Sequence, residues 1–256
     1  MTNEITVELV DGVQIIRINR PDKKNALTID MYGAMNDALR AGEASDDIAV
    51  HLITGSEGMF TAGNDLKEFA AVAMGGERKL EAYEFLKTIA QINKPLIAAV
   101  DGIAVGIGVT MLLHCDLVYA SPNATFSTPF VNLGMVPEGG SSLLMPRVMG
   151  SKRAYEMLCL GQAFSAEKAQ GAGLINEIVA GNELVDYAVQ CGRLLACKPP
   201  EALKMSRDMI RGDVQEVLDC MASEIEVFSK RLVSAEAREA FVAFLEKRPP
   251  NFSRKS

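Results

Sequence analysis

Apolar and polar residues alternate at the start of the chain, a pattern typical of a strand with one buried face. Ile5, Val7 and Leu9 are separated by polar residues, and Asp11-Gly12 then leads into the apolar run Val13–Ile18. An Asp-Gly turn between two such runs predicts a β-hairpin.

Segments with helical spacing then alternate with short apolar runs. The predicted helices are 28–41, with Thr28 as the N-cap, and 76–93, and the predicted strands are 48–54, 96–100 and 116–120. After Asp101-Gly102, a glycine-rich apolar segment enters a further helix that is predicted to end at Leu113. Strands that alternate with helices favour an α/β fold whose sheet is covered on both faces.

The pattern changes near residue 140 and becomes mainly helical. Helical periods extend over 142–172, one more strand is predicted over 174–179, and the chain from Asn182 onward has helical spacing with breaks at 198–200 and near Gly212. We expect the break at 198–200 to separate an α/β core, residues 1–198, from a helical C-terminal region, residues 199–256. The tail after Pro249-Pro250 is expected to be loose.

Composition narrows the classes of protein that fit. The 256 residues include 33 acidic and 26 basic side chains, a formal net charge of −7. This balance argues against binding to nucleic acid or to acidic membrane surfaces. The N-terminus lacks the features of a secretory signal, and the most apolar stretch, 102–113, is shorter than a membrane span. We therefore expect a cytoplasmic location and no membrane partner.

Cysteine and histidine residues give little sign of a metal site. The five cysteines contain no CxxC pair, so reduced thiols are expected rather than disulfides or a metal site. His51 and His114 lie inside apolar segments, which favours a role in the core over a catalytic one.

The first segment that is a candidate for chemistry is 60–66, with the sequence FTAGNDL. Its glycine follows a strand and a loop and precedes a helical pattern. Backbone N–H groups near Ala62 are therefore candidates for binding an oxyanion, since their partial charge needs no titration. The alternative is an ordinary glycine-containing turn in which Asp65 caps the helix.

The second segment is 101–108, with the sequence DGIAVGIG. Gly106 and Gly108 allow a close backbone approach, and the start of the following helix offers free N–H donors. A nucleotide-binding loop is the alternative, but the chain lacks both the full dinucleotide fingerprint and a Walker sequence.

The third segment is 133–142, with the sequence LGMVPEGGSS, and it contains Glu138. Apolar surroundings would raise the pKa of this carboxyl towards the range of a general base, whereas a nearby helix N-terminus would oppose that shift. A helix-capping glutamate is the alternative. Two donor loops and one glutamate together make a catalytic interpretation stronger than each segment does alone.

Taken in order, these segments resemble the crotonase (enoyl-CoA hydratase/isomerase) superfamily over essentially the whole chain. The resemblance lies in Asn19-Arg-Pro21, Asn25-Ala-Leu27, 60–66, Lys94-Pro95, 101–108, Cys115-Asp116, Ala120, 133–137 and Phe244-Leu-Glu-Lys-Arg248. It implies a spiral of ββα units followed by helices, assembled as homotrimers or dimers of trimers.

The resemblance also implies an acyl-CoA thioester as substrate, with coenzyme A part of the substrate rather than a separate cofactor. The thioester oxygen would lie between the backbone N–H groups of Ala62 and Ile107, which would stabilise an enolate formed by removal of a C2 proton. The residues implied to contact the substrate are Lys24, Ala26, Ala62, Gly63, Asn64, Asp65, Leu66, Gly106, Phe130 and Leu133. Lys23 and Lys24 are either phosphate partners or solvated loop charges.

Departures from the family pattern indicate the subtype. The two glutamates of family hydratases fall on Thr110 and Phe130, whereas Glu138 matches the catalytic glutamate of peroxisomal-type Δ3,Δ2-enoyl-CoA isomerases. This favours a shift of the double bond from C3 to C2 by a single glutamate, in fatty-acid degradation. The alternatives are an enoyl-CoA hydratase, an isomerase of a ring-derived or branched acyl-CoA, and a catalytically silent acyl-CoA binder. RNA binding, seen in some relatives, is disfavoured by the acidic charge.

The last helical stretch, 237–248, places Ala240, Phe241, Phe244 and Leu245 on one face. Docking on the chain's own core and a role at a subunit interface are both compatible with this pattern. In the second case, Lys247 or Arg248 would lie near the coenzyme A of a neighbouring subunit.

Overall fold

Residues 4–73 and 80–252 are described by the computed structural model, and they contain nine strands and ten α-helices. The strands are β1 (Ile5–Val10), β2 (Val13–Ile18), β3 (Val50–Gly55), β4 (Leu96–Val100), β5 (Ile103–Val105), β6 (Leu117–Ala120), β7 (Thr125–Ser127), β8 (Phe164–Ser165) and β9 (Glu177–Ile178). The helices are α1 (Ile29–Ala44), α2 (Leu66–Ala73), α3 (Glu81–Gln91), α4 (Ile107–Thr110), α5 (Ser141–Leu158), α6 (Ala166–Gly171), α7 (Leu184–Ala196), α8 (Pro200–Arg211), α9 (Val214–Leu232) and α10 (Ala235–Leu245). Short 3₁₀ segments cover 21–23, 111–114 and 131–133.

The N-terminal hairpin forms as predicted. Strands β1 and β2 pair antiparallel, and Asp11 and Gly12 both have the positive φ that a tight hairpin turn needs. Helix α1 begins after Thr28, whose hydroxyl accepts the N–H of Met31. This helix continues three residues beyond the predicted end, Ala41.

The main sheet has six strands in the order β1-β2-β3-β4-β6-β9, all parallel except for the β1–β2 pair. Strands β2, β3 and β4 are buried along almost their whole length because both faces are covered. One face contributes Ile16, Ile53 and Ala98 to the larger core, and the other packs Leu52 and Ile97 against α7.

A second sheet of three strands, β5-β7-β8, packs against the larger hydrophobic core. Its first strand, β5, was not predicted and lies in the glycine-rich segment before the helix predicted to end at Leu113. The cause is a contact that is distant in sequence, because Val105 donates its N–H to the carbonyl of Thr61. Gly106 then takes a positive φ of 56°. Helix α4 begins only after that glycine and passes into a 3₁₀ turn at Met111.

The C-terminal part is largely helical, with α8, α9 and α10 in succession. The helical prediction for 142–172 is interrupted, since β8 separates α5 from α6, and the strand predicted over 174–179 shortens to β9. Breaks occur where expected, before Pro200 and at Gly212. Helix α8 is joined to the core because Arg207 donates to the carboxylate of Asp116 at 2.8 and 2.9 Å. A division of the chain at residue 198 stays a prediction.

The predicted apolar face of the last helix divides into two parts. Ala240 and Phe241 are buried, whereas Phe244 and Leu245 are more than half exposed. Helix α10 packs against α2 and α9 through its buried side. Docking on the chain's own core thus accounts for only part of the face.

Two predictions fall partly outside the described residues. The start of the helix predicted over 76–93 lies there, and α3 accounts for the rest from Glu81 onward. The tail expected to be loose ends in 253–256, which also lie there. Within the described residues, no helix has the length and apolar character to cross a membrane.

Candidate active site

Two backbone segments, 61–66 and 105–108, meet side by side and are called the donor loops below. Thr61 and Ala104 form a parallel bridge: Thr61 donates to the carbonyl of Ile103, and Val105 donates to that of Thr61. Gly63 has a φ of 85°, and a Cβ there would lie 2.6 Å from the carbonyl oxygen of Val105. Only glycine permits this approach, which brings Gly63 close to the residues that precede helix α4.

The structure corrects the donor predicted in the first loop. The N–H of Ala62 is not free, because it donates to the carbonyl of Lys24 at 2.9 Å. The N–H of Gly63 donates to the hydroxyl of Thr61 at 3.0 Å. The N–H of Asn64 makes no hydrogen bond within residues 4–73 and 80–252. Asn64 therefore replaces Ala62 as the candidate oxyanion donor.

In the second loop, Ile107 stays the predicted donor. Ile107 is the first residue of α4, and its N–H has no partner in the described parts of the chain, as expected at a helix start. Gly106 supplies the sharp turn before it and donates its own N–H to Ser127. Within the described residues, the free N–H groups of the donor loops include those of the two candidate donors, Asn64 and Ile107.

The loop that contains Lys24 and Ala26 is held by buried Asn25. The side chain of Asn25 accepts the N–H of Arg20 and donates to the carbonyls of Ser56 and Met59. Lys24 is exposed, whereas Ala26 is half-buried. The lysine ammonium is consequently available to an anionic ligand at the surface.

Asp65 has partners within the protein and acts at the start of a helix. One of its oxygens accepts from Arg20 at 2.8 Å, and the other accepts the N–H of Lys67 at 2.9 Å. The pKa of Asp65 is lowered by these hydrogen bonds, against the opposing effect of burial. Helix α2 follows at half-buried Leu66. The alternative interpretation of Asp65 as a helix cap therefore fits the structure.

Glu138 lies in the segment 137–142, called the carboxyl loop below, and its side chain is 8% exposed. One carboxyl oxygen accepts a hydrogen bond of 2.5 Å from the hydroxyl of Thr110. Burial raises the pKa of Glu138 to about 7, and the charge of Glu224 acts in the same direction, whereas the Thr110 hydrogen bond lowers it. A carboxyl with this pKa exchanges protons readily near neutrality.

Helix α4 links the carboxyl loop to the donor loops. Ile107 begins this helix and Thr110 ends it, so the free N–H and the hydroxyl bound to Glu138 lie within one turn of each other. A Cβ at Gly139 would lie 3.2 Å from the Thr110 side chain. The positive φ of Gly139 and its missing side chain thus allow the carboxyl loop to approach the helix.

Apolar and aromatic side chains surround this region. Phe130 is 7% exposed, and its ring lies against Gly106, while Leu133 is half-buried in the 3₁₀ turn that follows. Tyr32 is fully buried and donates its hydroxyl to the side-chain oxygen of Asn64 at 2.6 Å. Burial, followed by the charge of Glu138, raises the pKa of Tyr32 well above its ordinary value.

Both histidines are buried and hydrogen-bonded within the protein, which is consistent with the core role predicted for them. His51 lies between Gln14 and Glu43, at 2.7 and 3.2 Å. His114 donates to the carbonyl of Gly139 at 2.8 Å, and burial lowers the pKa of His114 to about 4. Since Gly139 lies in the carboxyl loop, the neutral His114 ring helps to hold that loop in place through this hydrogen bond. Among the described residues, no three His, Cys, Asp or Glu side chains form a group suited to a metal ion.

Sequence reasoning missed three side chains that hold the site. Arg20 pairs with Asp65, Tyr32 binds Asn64, and Glu224 accepts the backbone N–H groups of the carboxyl loop. Arg20 lies inside the Asn-Arg-Pro motif and could have been considered. Tyr32 and Glu224 lie in ordinary amphipathic helices, where no local signal separates them from their neighbours.

Comparison with known proteins identifies the family. A profile of the enoyl-CoA hydratase/isomerase family matches residues 8–255. The chain is 38% identical over 251 residues to enoyl-CoA delta isomerase 2 of Homo sapiens, covering 95% of this chain and 64% of that protein. It is 32% identical to 2,3-dehydroadipyl-CoA hydratase of Escherichia coli (strain K12), over 251 residues and 98% of each chain.

A solved structure shows the same fold. The crystal structure of an enoyl-CoA hydratase/isomerase from Pseudoalteromonas atlantica T6c matches with a TM-score of 0.92 and 38% identity, over 98% of this chain and 100% of that one. The chain belongs to the enoyl-CoA hydratase/isomerase family. The predicted α/β crotonase fold and the resemblance are thereby confirmed, while isomerase and hydratase relatives are both close in sequence.

Proposed function

We propose that this protein moves the double bond of a 3-enoyl-CoA thioester from C3 to C2, with Glu138 as the single acid and base. The observation that carries the proposal is a buried carboxyl with a pKa near neutrality, hydrogen-bonded to Thr110. Thr110 and Phe130 stand where the resemblance implies the two glutamates of the hydratases. Neither side chain exchanges a proton with water near neutral pH.

The first step is removal of a proton from C2. The ionised Glu138 takes this proton, and the electron pair moves into the thioester carbonyl to give a dienolate. The N–H groups of Asn64 and Ile107 receive the negative oxygen, so the charge develops against two fixed donors. Each donor of this kind is worth about 10²–10³ in rate.

The second step returns the same proton at C4. The dienolate collapses, the carbonyl is restored and the double bond lies between C2 and C3, so no atom is gained or lost. The buried surroundings of Glu138, which include Phe130, keep water from competing for the intermediate. One carboxyl therefore completes the cycle and ends it ionised.

Substrate binding is proposed to use the donor loops and the Lys24 loop. Lys24 would contact a phosphate of coenzyme A, while Ala26, Ala62, Gly63, Asp65 and Leu66 would shape the surface that holds the rest of that moiety. Gly106, Phe130 and Leu133 would line the acyl side. Coenzyme A enters as part of the substrate. We further propose that the chain works as a homotrimer or a dimer of trimers.

The test supplies 3-enoyl-CoA and 2-enoyl-CoA in separate reactions and follows the products by mass. We expect conversion of the 3-enoyl substrate without a mass change, and a loss of about 10²–10⁴ in rate in Glu138→Gln. Glu8→Gln, which neutralises an exposed carboxylate of β1, is the control and should leave the rate unchanged.

Two results would contradict the proposal. Rapid gain of one water by 2-enoyl-CoA would indicate a hydratase, the activity named for the Escherichia coli relative. Binding of both thioesters without conversion would indicate an acyl-CoA binder in place of an isomerase for straight-chain substrates.

A further inference from the structure

The start of helix α5 is occupied by a carboxylate from a distant part of the chain. Glu224, on helix α9, accepts the N–H of Gly140 at 2.6 Å and the N–H of Ser142 at 2.9 Å, one with each oxygen. Its side chain is only 8% exposed. A buried carboxylate needs such partners, because its removal from water would otherwise be costly.

This arrangement changes the surroundings of Glu138, two residues before Gly140. A helix N-terminus carries a partial positive charge that stabilises a nearby carboxylate. With Glu224 in place, that positive end already has a negative partner. No backbone N–H of the described residues donates to the Glu138 carboxyl, whose hydrogen bond comes from Thr110 instead.

We propose that Glu224 is a positioning residue for Glu138: it takes up the backbone N–H donors at the start of α5, which leaves the hydroxyl of Thr110 as the donor to the catalytic carboxyl. This inference deepens the proposed function and rests on the role of Glu138 stated there. Glu224 does not touch the reacting atoms in this scheme. It acts through the carboxyl loop and through its own negative charge.

The other polar groups around Glu138 do not supply this effect. Tyr32 on α1 is bound to Asn64, and Thr110 on α4 donates to Glu138, which lowers the pKa of the carboxyl. His114 is kept neutral by burial and supports Gly139. Cys220, on α9, contacts Ser142 and lies 3.7 Å from Glu224. The like charge that raises the pKa of Glu138 is therefore that of Glu224.

The experiment measures the protonation of Glu138 directly, without turnover. Isotope-edited infrared spectroscopy follows the carbonyl stretch of the protonated carboxyl as the pH is varied, and its absence in Glu138→Gln assigns the band. The unsubstituted protein should show a midpoint at pH about 7. In Glu224→Gln the midpoint should fall by about one pH unit, since the like charge is lost and the helix end is left uncompensated.

Matched variants separate charge from shape. Glu224→Asp keeps the charge in a shorter side chain and should shift the midpoint less than Glu224→Gln. Glu224→Asn is equal in size to Glu224→Asp but neutral, so its midpoint should be lower than that of Glu224→Asp. These two variants provide the comparison if Glu224→Gln does not fold. Glu226→Gln removes an exposed charge from the same helix and should change nothing.

The outcomes distinguish this inference from the proposed function. Equal midpoints within both pairs, Glu with Gln and Asp with Asn, would overturn the positioning role even if the protein is an active isomerase. A lower midpoint in the neutral variants would support the role even if no 3-enoyl-CoA is converted. The acid limb of the pH–rate profile should move by the same amount if both proposals hold.

Discussion

The donor loops and the carboxyl loop differ in what holds them in place. In the donor loops, backbone groups bond to backbone groups and glycines allow close contact, as in the pairing of Thr61 with Ala104. In the carboxyl loop, three side chains from other elements, Thr110, His114 and Glu224, fix the backbone or the carboxyl. The donor N–H groups belong to the backbone, so the N–H of Ile107 should persist when its own side chain changes, whereas the carboxyl of Glu138 should respond to distant substitutions.

The most direct test of this difference between the loops is to remove a backbone donor without breaking any existing hydrogen bond. Ile107→Pro does so, because proline is tolerated at the first position of a helix and the Ile107 N–H has no protein partner. We expect the isomerisation rate to fall by about 10²–10³. The measurement is the steady-state rate on 3-enoyl-CoA.

Ile107→Ala is the matched control for that substitution. It truncates the same buried side chain but keeps the N–H, so stability should fall by about 2–5 kcal/mol while the rate per folded molecule stays within a few-fold. Equal rates in the two variants would show that the N–H contributes nothing to catalysis.

The second prediction concerns the free energy of unfolding, which the burial of an ionised Glu138 lowers. Because the pKa of the folded state is raised to about 7, the unfolded state loses its proton first as the pH rises. The free energy of unfolding therefore falls as the pH rises from about 4.5 to about 7. Above that range the loss of stability caused by the buried, ionised Glu138 has reached its full size. Glu138→Gln should be more stable by up to about 3 kcal/mol at pH 8, with the difference vanishing below pH 4.5.

Thermal unfolding at several pH values tests this prediction. The melting temperature of Glu138→Gln should exceed that of the unsubstituted protein at pH 8 and converge with it in acid. A constant difference across the whole range would mean that the pKa of Glu138 is the same in the folded and unfolded states, so that burial does not raise it.

The smallest expected effect tests how the side chain of Thr110 acts on the carboxyl loop. Thr110→Val removes the hydroxyl that donates to Glu138 and lowers the pKa of that carboxyl, so the pKa should rise. The acid limb of the pH–rate profile should move upward by up to about one unit, opposite in sign to the change in Glu224→Gln.

Thr54→Val is a suitable comparison for Thr110→Val. Its buried hydroxyl donates to the carbonyl of Ala99 in the main sheet, so the substitution has a similar cost but should leave the profile in place. A shift of equal size in both variants would attribute the effect to general loosening of the core.

Much of the fold could be predicted from local pattern. The hairpin at Asp11-Gly12, the cap at Thr28 and strand β4 over 96–100 follow from turn chemistry, capping and apolar runs that act over a few residues. Strand β5 was not predicted, because it forms by pairing with Thr61, about 40 residues earlier in the chain.

The candidate site shows the same division between local and distant causes. Glu138 and the start of α4 at Ile107 could be found from their own segments. The choice of Ala62 as a donor was wrong because the carbonyl of Lys24, far away in sequence, already accepts that N–H. Glu224 has no local signal at all, since a glutamate on a helix is typically a surface residue.

The contact between Glu224 and the carboxyl loop spans more than 80 residues, and it gives the order of synthesis a consequence for activity. A chain emerging from the ribosome acquires its sheet, its donor loops and Glu138 well before helix α9 exists. On the proposed role of Glu224, the pKa of Glu138 would reach its final value only near the end of translation. In the finished protein, transient detachment of α9 would shift the pH dependence of catalysis while the sheet remains folded, so the pH–rate profile would report on the docking of this late helix.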